Sequence, residues 1–175
     1  MHNINRIKGF VDYQTLEKII HCFISSKLDY CNSLFLGLPA TLLNRLQRVQ
    51  NAAARILTCT SKWDHIKPVL FQLHWLPIEA RATFKVLLLI HKVLHHDGPA
   101  YLRAMLQTEP DSARRPAQLM VPFTRSALVF ERAFSVAGPR LWNQLPQDLK
   151  LMAATERFKN QLKTLLFKRF YSEFT

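Results

Sequence analysis

The stretch LDYCNSLFLGLPATLLNRLQRVQNAAARIL, from Leu28 to Leu57, decides the fold because it joins a helix-ending turn to an amphipathic helix. Its second half predicts a helix over 41–58, because apolar residues recur at the spacing that places them on one side of a helix. The Gly-Leu-Pro sequence at 37–39 predicts a turn before that helix, since glycine favours helix C-termini and proline does not continue a helix. The predicted apolar stripe consists of Leu42, Leu46, Val49, Ala53, Ile56 and Leu57.

The same periodicity recurs elsewhere and predicts a mainly α-helical protein with five to six helices. Residues 78–96 are apolar nearly all the way round, so we expect this segment to be the central, buried helix. Asp12 is a candidate N-cap for the first helix. The other predicted helices cover 12–27, 41–58, 64–72, 99–106 and about 154–170.

The chain changes character after residue 106. Residues 107–117 are polar, contain two prolines and are predicted to form a linker. The segments 119–121 and 127–134 have strand-like composition, while Pro122 restricts any pairing to a sheet edge. We therefore expect a small irregular or β-hairpin insertion near 117–134. The predicted division is a helical domain over 1–106, the linker, and a basic C-terminal extension over 118–175 that ends in a helix.

The composition narrows the classes of partner. Apolar residues make up 49% of the chain, which is enough for a buried core. The formal net charge of +12 attracts polyanions, with nucleic acid as the first expectation and an anionic membrane surface as the second. A solvated basic surface with no partner is the alternative that charge alone leaves open.

The cysteines and the start of the chain bear on the cellular compartment. Cys22, Cys31 and Cys59 give an odd count, and the first ten residues lack the apolar core of a secretory signal. These features predict a reducing, intracellular compartment, nuclear or cytoplasmic. The longest apolar run, 86–90, is far shorter than the roughly 20 residues of a transmembrane helix, so no membrane span is expected.

Sequence motifs of enzymes are missing from this chain. Nucleotidyl transfer needs clustered carboxylates that hold two metal ions, but the carboxylates are scattered and there is no Tyr-x-Asp-Asp motif. There is also no Gly-x-Ser-x-Gly, Cys-x2-Cys or His-Glu-x-x-His motif. We therefore expect no enzymatic activity, no catalytic residue, no metal site and no cofactor.

Arginines on two parts of the chain are the candidate nucleic-acid-binding residues. Three lie on the flank of the 41–58 helix away from its apolar stripe, and three lie near the predicted hairpin. Guanidinium groups at such positions can contact phosphates without reading the base sequence. A merely solubilising surface is the alternative. The six candidates are Arg45, Arg48, Arg55, Arg114, Arg115 and Arg125.

Six segments in a fixed order link the chain to a known group: LDYCNSLFLGLP, LNRLQRVQNAAARIL, LHWLP, DGPAYL, RAFSVAGPRLWNQLP and FKNQLKTLLF. In order and spacing they resemble the C-terminal region of reverse transcriptases from non-LTR (LINE-type) retrotransposons of the jockey and chicken-repeat groups. The resemblance covers nearly the entire chain. It implies a helical thumb unit, which packs against a template–primer duplex, followed by a C-terminal extension. Residues 43–56 would be a thumb-type helix whose arginines are candidate backbone contacts.

The resemblance and the missing palm together imply a truncated, non-catalytic fragment that binds RNA or RNA–DNA duplex through basic helix faces, with low sequence specificity. A vestigial or protein-interaction fragment with no nucleic-acid role is the alternative. A third hypothesis is that the basic segment 154–175 binds membrane or a calmodulin-like partner. Apolar surface that a palm would cover leads us to expect self-association as well.

Overall fold

The computed structural model describes residues 2–95, 97–108, 117–123 and 132–174, and it shows a mainly α-helical protein, as predicted. A π-helical turn, His21–Ser25, and a 3-10 turn, Asn32–Phe35, lie on either side of the third helix. The α-helices are α1 (His2–Ile7), α2 (Tyr13–Ile20), α3 (Ser26–Asp29), α4 (Ala40–Thr58), α5 (Ile66–Gln72), α6 (Ile78–Leu94), α7 (Ala100–Ala104), α8 (Phe134–Asn143), α9 (Gln147–Lys150) and α10 (Thr155–Phe170).

The predicted helical segments correspond to α2 with α3, α4, α5, α6, α7 and α10. The predicted N-cap is confirmed, because Oδ2 of Asp12 accepts hydrogen bonds from the backbone N–H groups of Gln14 and Thr15 at 3.1 and 3.2 Å. The structure adds three helices that the periodicity did not predict, α1, α8 and α9.

Helix α6 is central, as its nearly continuous apolar surface predicted. It packs against α4, α7, α8 and α10 and against the 3-10 turn. The approach of α8 depends on a glycine, because a Cβ on Gly138 would lie 3.1 Å from Cδ1 of Ile90. A side chain at this position would require the end of the Ile90 side chain to move by a few tenths of an ångström.

Two hydrophobic clusters form the core. The first joins α2, α4, α5 and the start of α6, and the second joins α6, α8, α9 and α10. Phe167 and Phe170 of α10 pack against both clusters, so the two are continuous. Fully buried members of the second cluster include Leu87, Ile90, Trp142, Phe158 and Leu162.

Both sides of the predicted linker contribute to this second cluster. Leu87 and Ile90 of α6 belong to the predicted domain 1–106, whereas Trp142 and Phe158 belong to the predicted extension 118–175. The boundary predicted at 107–117 therefore divides the sequence into two parts that share one core. Residues 109–116 of that linker lie outside the described residues.

The insertion predicted near 117–134 is only partly within the described residues, because 124–131 lie outside them. Residues 117–123 contain no strand, and Leu119 forms an isolated antiparallel bridge with Thr108. The side chain of Asn143 fixes Leu119 by accepting from its N–H at 3.0 Å and donating to its C=O at 2.8 Å. Phe134 was predicted to end a strand-like segment, and this is wrong, because it begins α8. Helical spacing places the following apolar side chains against α6, and alternation would not.

Helix α4 buries a face that is rotated from the predicted stripe. Ala53 and Leu57 are buried as predicted, but Leu42 and Val49 are exposed and Gln50 is buried instead. The predicted stripe is therefore wrong at two positions.

A pair of glutamines explains this rotation. Gln50 donates from Nε2 to the carbonyl oxygen of Leu76 at 2.8 Å, and Oε1 of Gln47 accepts from the N–H of Ile78 at 2.9 Å. These bonds pair backbone groups in the turn before α6, and the first N–H groups of a helix have no partner within it. We infer that these hydrogen bonds to the backbone of Leu76 and Ile78 stabilise the fold more than the burial of Leu42 and Val49 would.

We predict that Trp142→Ala lowers the free energy of unfolding by about 3–5 kcal/mol, because a large buried ring is removed. The Trp142 side chain is 0% exposed, and its Nε1 donates to the carbonyl oxygen of Ala117 at 2.8 Å. Urea denaturation measures the change. Trp63→Ala is the matched control, since Trp63 is 82% exposed and its removal should change stability little. Equal effects of the two substitutions would contradict the anchoring role of Trp142.

His91 is a buried titratable group beside this cluster. Its ring is stacked on Phe158 with centroids 4.1 Å apart, and its Nε2 lies 2.7 Å from the carbonyl oxygen of Met152. Within the part of the chain that the structure describes, its Nδ1 has no hydrogen-bond partner. Burial lowers the pKa of His91, an effect to which His95 adds and which Asp97 and the Met152 hydrogen bond oppose. The neutral imidazole is therefore the form that the fold prefers.

We predict that the protein loses stability as the pH falls below about 6.5, the pKa of an unperturbed histidine. A histidine whose pKa is lowered by folding binds protons more readily in the unfolded chain, so its contribution is present above that pH and is lost as pH falls through the folded pKa. Urea denaturation at several pH values tests this. His91→Phe, which keeps a ring against Phe158, should show a flatter dependence of the free energy of unfolding on pH. An unchanged slope would contradict the assignment of this effect to His91.

Candidate nucleic-acid interface

The outward face of α4 carries the arginines that the sequence identified. Arg45 and Arg48 are exposed, and Arg55 is half-buried. All three lie roughly opposite the buried residues Gln50 and Leu57 on the helix. Arg45 and Arg55 are ten residues apart, about 15 Å along the helix axis. That length corresponds to roughly four nucleotides along one strand of a duplex.

Arg55 differs from the other two because its guanidinium holds the following loop. Its Nε donates to the carbonyl oxygen of Ser61 at 3.1 Å, and its Nη2 donates to the carbonyl oxygen of Asp64 at 3.0 Å. The carboxylate of Asp64 accepts from the N–H of Ser61 at 3.1 Å, which closes the loop on itself. Arg55 therefore acts in the fold as a support for residues 61–64.

This loop presents a cation and an aromatic ring to solvent. The Nζ of Lys62 lies 4.7 Å from the centroid of the Trp63 ring, within the range of a cation–π contact. The exposed indole offers a face on which an unpaired base can stack. By tying the loop to α4, Arg55 fixes Lys62 and Trp63 next to the helix.

A shallow groove between α1 and α4 extends the positive surface. Lys8, Arg55 and Lys62 line it together with His2 and Asn5, and none of the described residues that line it is acidic. We call Arg45, Arg48, Arg55, Lys8, Lys62 and Trp63 the α4 basic surface. The cations that line the groove make it more favourable for an anionic group than for a cationic one.

Three of the six predicted arginines cannot be placed on this surface. Arg114, Arg115 and Arg125 lie outside the described residues. Lys8, Lys62 and Trp63 were not among the residues predicted from the sequence. The adjacent Lys62-Trp63 pair was a usable signal, but nothing in the sequence showed that Lys8 would lie beside a residue 47 positions later.

The structure also bears on metal binding and on membranes. Among residues 2–95, 97–108, 117–123 and 132–174, no group of three or more histidine, cysteine, aspartate or glutamate side chains could hold a metal ion. In the same part of the chain, no helix is both long and apolar enough to cross a bilayer. The cysteines Cys22, Cys31 and Cys59 are free thiols.

Comparison with known proteins returned no match, whether with a protein-family model, a curated protein or a solved structure.

We predict that Arg55→Ala raises hydrogen exchange at the amides of residues 61–64 and lowers the free energy of unfolding by about 1–2 kcal/mol, because the hydrogen bonds from a charged donor are removed. Arg48→Ala is the matched control, since Arg48 is exposed two turns earlier on the same helix face. It should leave both the exchange and the stability close to those of the parent. If Arg55→Ala leaves exchange in the loop unchanged, the loop does not depend on this guanidinium.

Proposed function

We propose that this protein is a non-catalytic nucleic-acid-binding protein that holds the sugar–phosphate backbone of RNA or of an RNA–DNA duplex on the α4 basic surface. The observation that carries the proposal is the alignment of Arg45 and Arg48 with the groove lined by Lys8, Arg55 and Lys62. Contacts of this kind depend on charge and position and carry little sequence information. We expect broad sequence tolerance and a strong dependence on salt.

The proposal agrees with the resemblance to LINE-type reverse transcriptases, whose thumb packs against a template–primer duplex. By that resemblance α4 is a thumb-type helix, and the protein derives from a polymerase without retaining its catalysis. The absence of clustered carboxylates from the sequence supports the non-catalytic part, since nucleotidyl transfer needs them to hold two metal ions.

A protein-interaction role is the second candidate, and exposed apolar side chains favour it. Phe10 and Phe123 are each 90% exposed, and Phe23, Leu34 and Tyr101 are also largely exposed. Association surfaces carry exposed apolar residues in contiguous patches, whereas single exposed apolar residues are common on any protein surface. Self-association of a parent protein that fails to bind duplex would favour this candidate over nucleic-acid binding.

The membrane or calmodulin-like hypothesis for the terminal helix has less support. The apolar residues of α10, Phe158, Leu162 and Leu166, are buried in the second cluster. An amphipathic helix binds a membrane or a calmodulin-like groove through its apolar face. In the folded chain that face is already covered.

We predict that the double variant Arg45→Ala/Arg48→Ala binds an RNA–DNA duplex more weakly and flattens the slope of log affinity against log salt by roughly two units, about one for each phosphate that the variant no longer neutralises. Fluorescence anisotropy of a labelled duplex at several salt concentrations measures both quantities. The helix should remain folded, because both side chains are exposed and alanine has the higher helix propensity.

The control is Lys92→Ala/Lys168→Ala, which removes the same two charges from exposed positions on α6 and α10. It should leave the salt slope close to that of the parent. If both double variants lose affinity equally, binding is a diffuse effect of net charge and the site assignment is wrong. If the Arg45→Ala/Arg48→Ala variant binds as the parent does, α4 is only a solvated surface.

A further inference from the structure

A second polar site lies in a cleft of about 570 Å³ between the N-terminal helices and the pair α6 and α10. It shares no residue with the α4 basic surface, so it is a separate feature. The turn that precedes α6 contributes Trp75 and His74 to its lining. The side chains that give the cleft its chemistry are Glu17, Asp29, Asn32, Lys85, Lys159 and Lys163.

The lysines supply positive charge where α6 and α10 meet. Among the described residues, no carboxylate lies within ion-pair distance of Lys85 or Lys163. Lys159 pairs with Glu156 at 3.3 Å, but this pair is solvent-exposed and weak. Lysine binds phosphate as a point charge. This part of the cleft therefore favours an anionic group.

The part of the cleft formed by α3 and the 3-10 turn offers hydrogen-bond acceptors, and the charge of Asp29 there is balanced by Arg81, which also lines the cleft. Asn32 is buried, and its Nδ2 donates to Oδ1 of Asp29 at 3.3 Å, while no donor of the described residues lies within hydrogen-bond distance of its own Oδ1. Asp29 also accepts from Nη1 of Arg81 at 2.9 Å. An unpaired buried acceptor is unfavourable, and an N–H donor on a ligand would remove that cost. The carboxylate of Glu17 adds a further acceptor.

Rings line the space between these two parts. The imidazole of His74 lies nearly parallel to Phe167, with centroids 5.5 Å apart and an interplanar angle of 13°. His74 has a positive φ of 53°, a conformation that non-glycine residues adopt infrequently, and it is held there by the LHWLP turn. Phe84 and Trp75 also line the cleft. Trp75 is buried and one face of His74 packs on Phe167, so the exposed imidazole of His74 and the half-buried ring of Phe84 are the aromatic surfaces that a planar heterocycle can contact.

We propose that this cleft binds a nucleoside monophosphate group, with its phosphate on Lys85 and Lys163 and its base toward Asn32. The group can be a free nucleotide or the phosphorylated end of a strand. A nucleotide combines an anion, a planar ring and N–H donors, which are the three features that the lining complements. An inorganic anion would leave Asn32 unpaired and most of the cleft unfilled. The proposal does not depend on the α4 basic surface.

The first experiment compares probes by isothermal titration calorimetry on the full chain. Adenosine 5′-monophosphate should bind at one site per chain, while adenosine and inorganic phosphate should each bind roughly tenfold or more weakly. N6,N6-dimethyladenosine 5′-monophosphate keeps the ring and the phosphate but lacks the amino donors, so it should also bind more weakly. Equal affinity of phosphate and nucleotide would overturn the proposal, as would the absence of saturable nucleotide binding.

Matched variants locate the site. Lys85→Ala/Lys163→Ala should weaken nucleotide binding by roughly tenfold or more, because the charged groups that hold the phosphate are removed. Lys92→Ala/Lys168→Ala removes the same charge from the same two helices outside the cleft and should bind as the parent does. All four lysines are exposed, so the substitutions should not unfold the chain. Equal losses of affinity in the two variants would overturn the assignment to the cleft.

Two further experiments distinguish a free nucleotide from a strand end, and the cleft from the α4 basic surface. If the cleft binds strand ends, a short single strand with a 5′-phosphate should displace the mononucleotide more effectively than the same strand with a 5′-hydroxyl. If neither strand displaces the mononucleotide, the ligand is a free nucleotide. Arg45→Ala/Arg48→Ala should retain mononucleotide binding even where it loses duplex binding. Loss of mononucleotide binding in that variant would place the nucleotide on the α4 basic surface and overturn the cleft assignment.

Discussion

The rest of the structure depends on covering α6. This helix is apolar over most of its circumference and exposes Glu79, Lys85 and Lys92, so most of its surface can face water only with an unfavourable exposure of apolar area. Other helices cover α6. Helix α4 packs against its start, and α8 and α10 pack along its length. The C-terminal extension is therefore part of the core and is required to complete it. Gly138 matters for the same reason, since it lets α8 come close to Ile90.

The hydrogen-bonded turn before α6 also determines which face of α4 is exposed. Gln47 and Gln50 of α4 pair with the backbone at Leu76 and Ile78, and this interaction sets the rotation of α4 about its own axis. Once that rotation is fixed, Arg45 and Arg48 must face outward, because they lie on the far side of the helix. The direction of the surface charge thus follows from a buried amide network on the opposite side of α4. A variant that disturbed Gln50 would be expected to alter the surface as well as the core.

The sequence predicted most helices because their signals are local. Helix α6 has a long, nearly continuous apolar run, helix α10 has apolar residues at helical spacing, and Asp12 lies where a capping residue is needed, so these elements could be placed without knowledge of the tertiary structure. Helix α8 was missed because Gly138 and Pro139 lie in its middle, where both residues normally disfavour a helix. Burial against α6 overrides that local preference. The exposure of Leu42 and Val49 was missed for a related reason, since it depends on hydrogen bonds to residues about 30 positions away.

The candidate sites were harder to predict than the fold, because each is assembled from distant parts of the chain. The arginines of α4 were found from one helix alone, but Lys8 lies near them only because α1 packs beside α4. The cleft that contains Lys85 and Lys163 is lined by residues of α2, α6 and α10. Clusters of positive side chains occur both on the α4 basic surface and in the cleft, but their surroundings differ. On the α4 basic surface the cations lie along an open helix flank, which suits a continuous backbone of phosphates. In the cleft the lysines share a bounded space with Asp29 and the unpaired acceptor of Asn32. The phosphates of a continuous polyanion have no N–H donor for the acceptor of Asn32, whereas a single phosphate attached to a group with N–H donors can contact both kinds of side chain. This difference in lining is the reason that we propose an extended ligand for one surface and a compact ligand for the other.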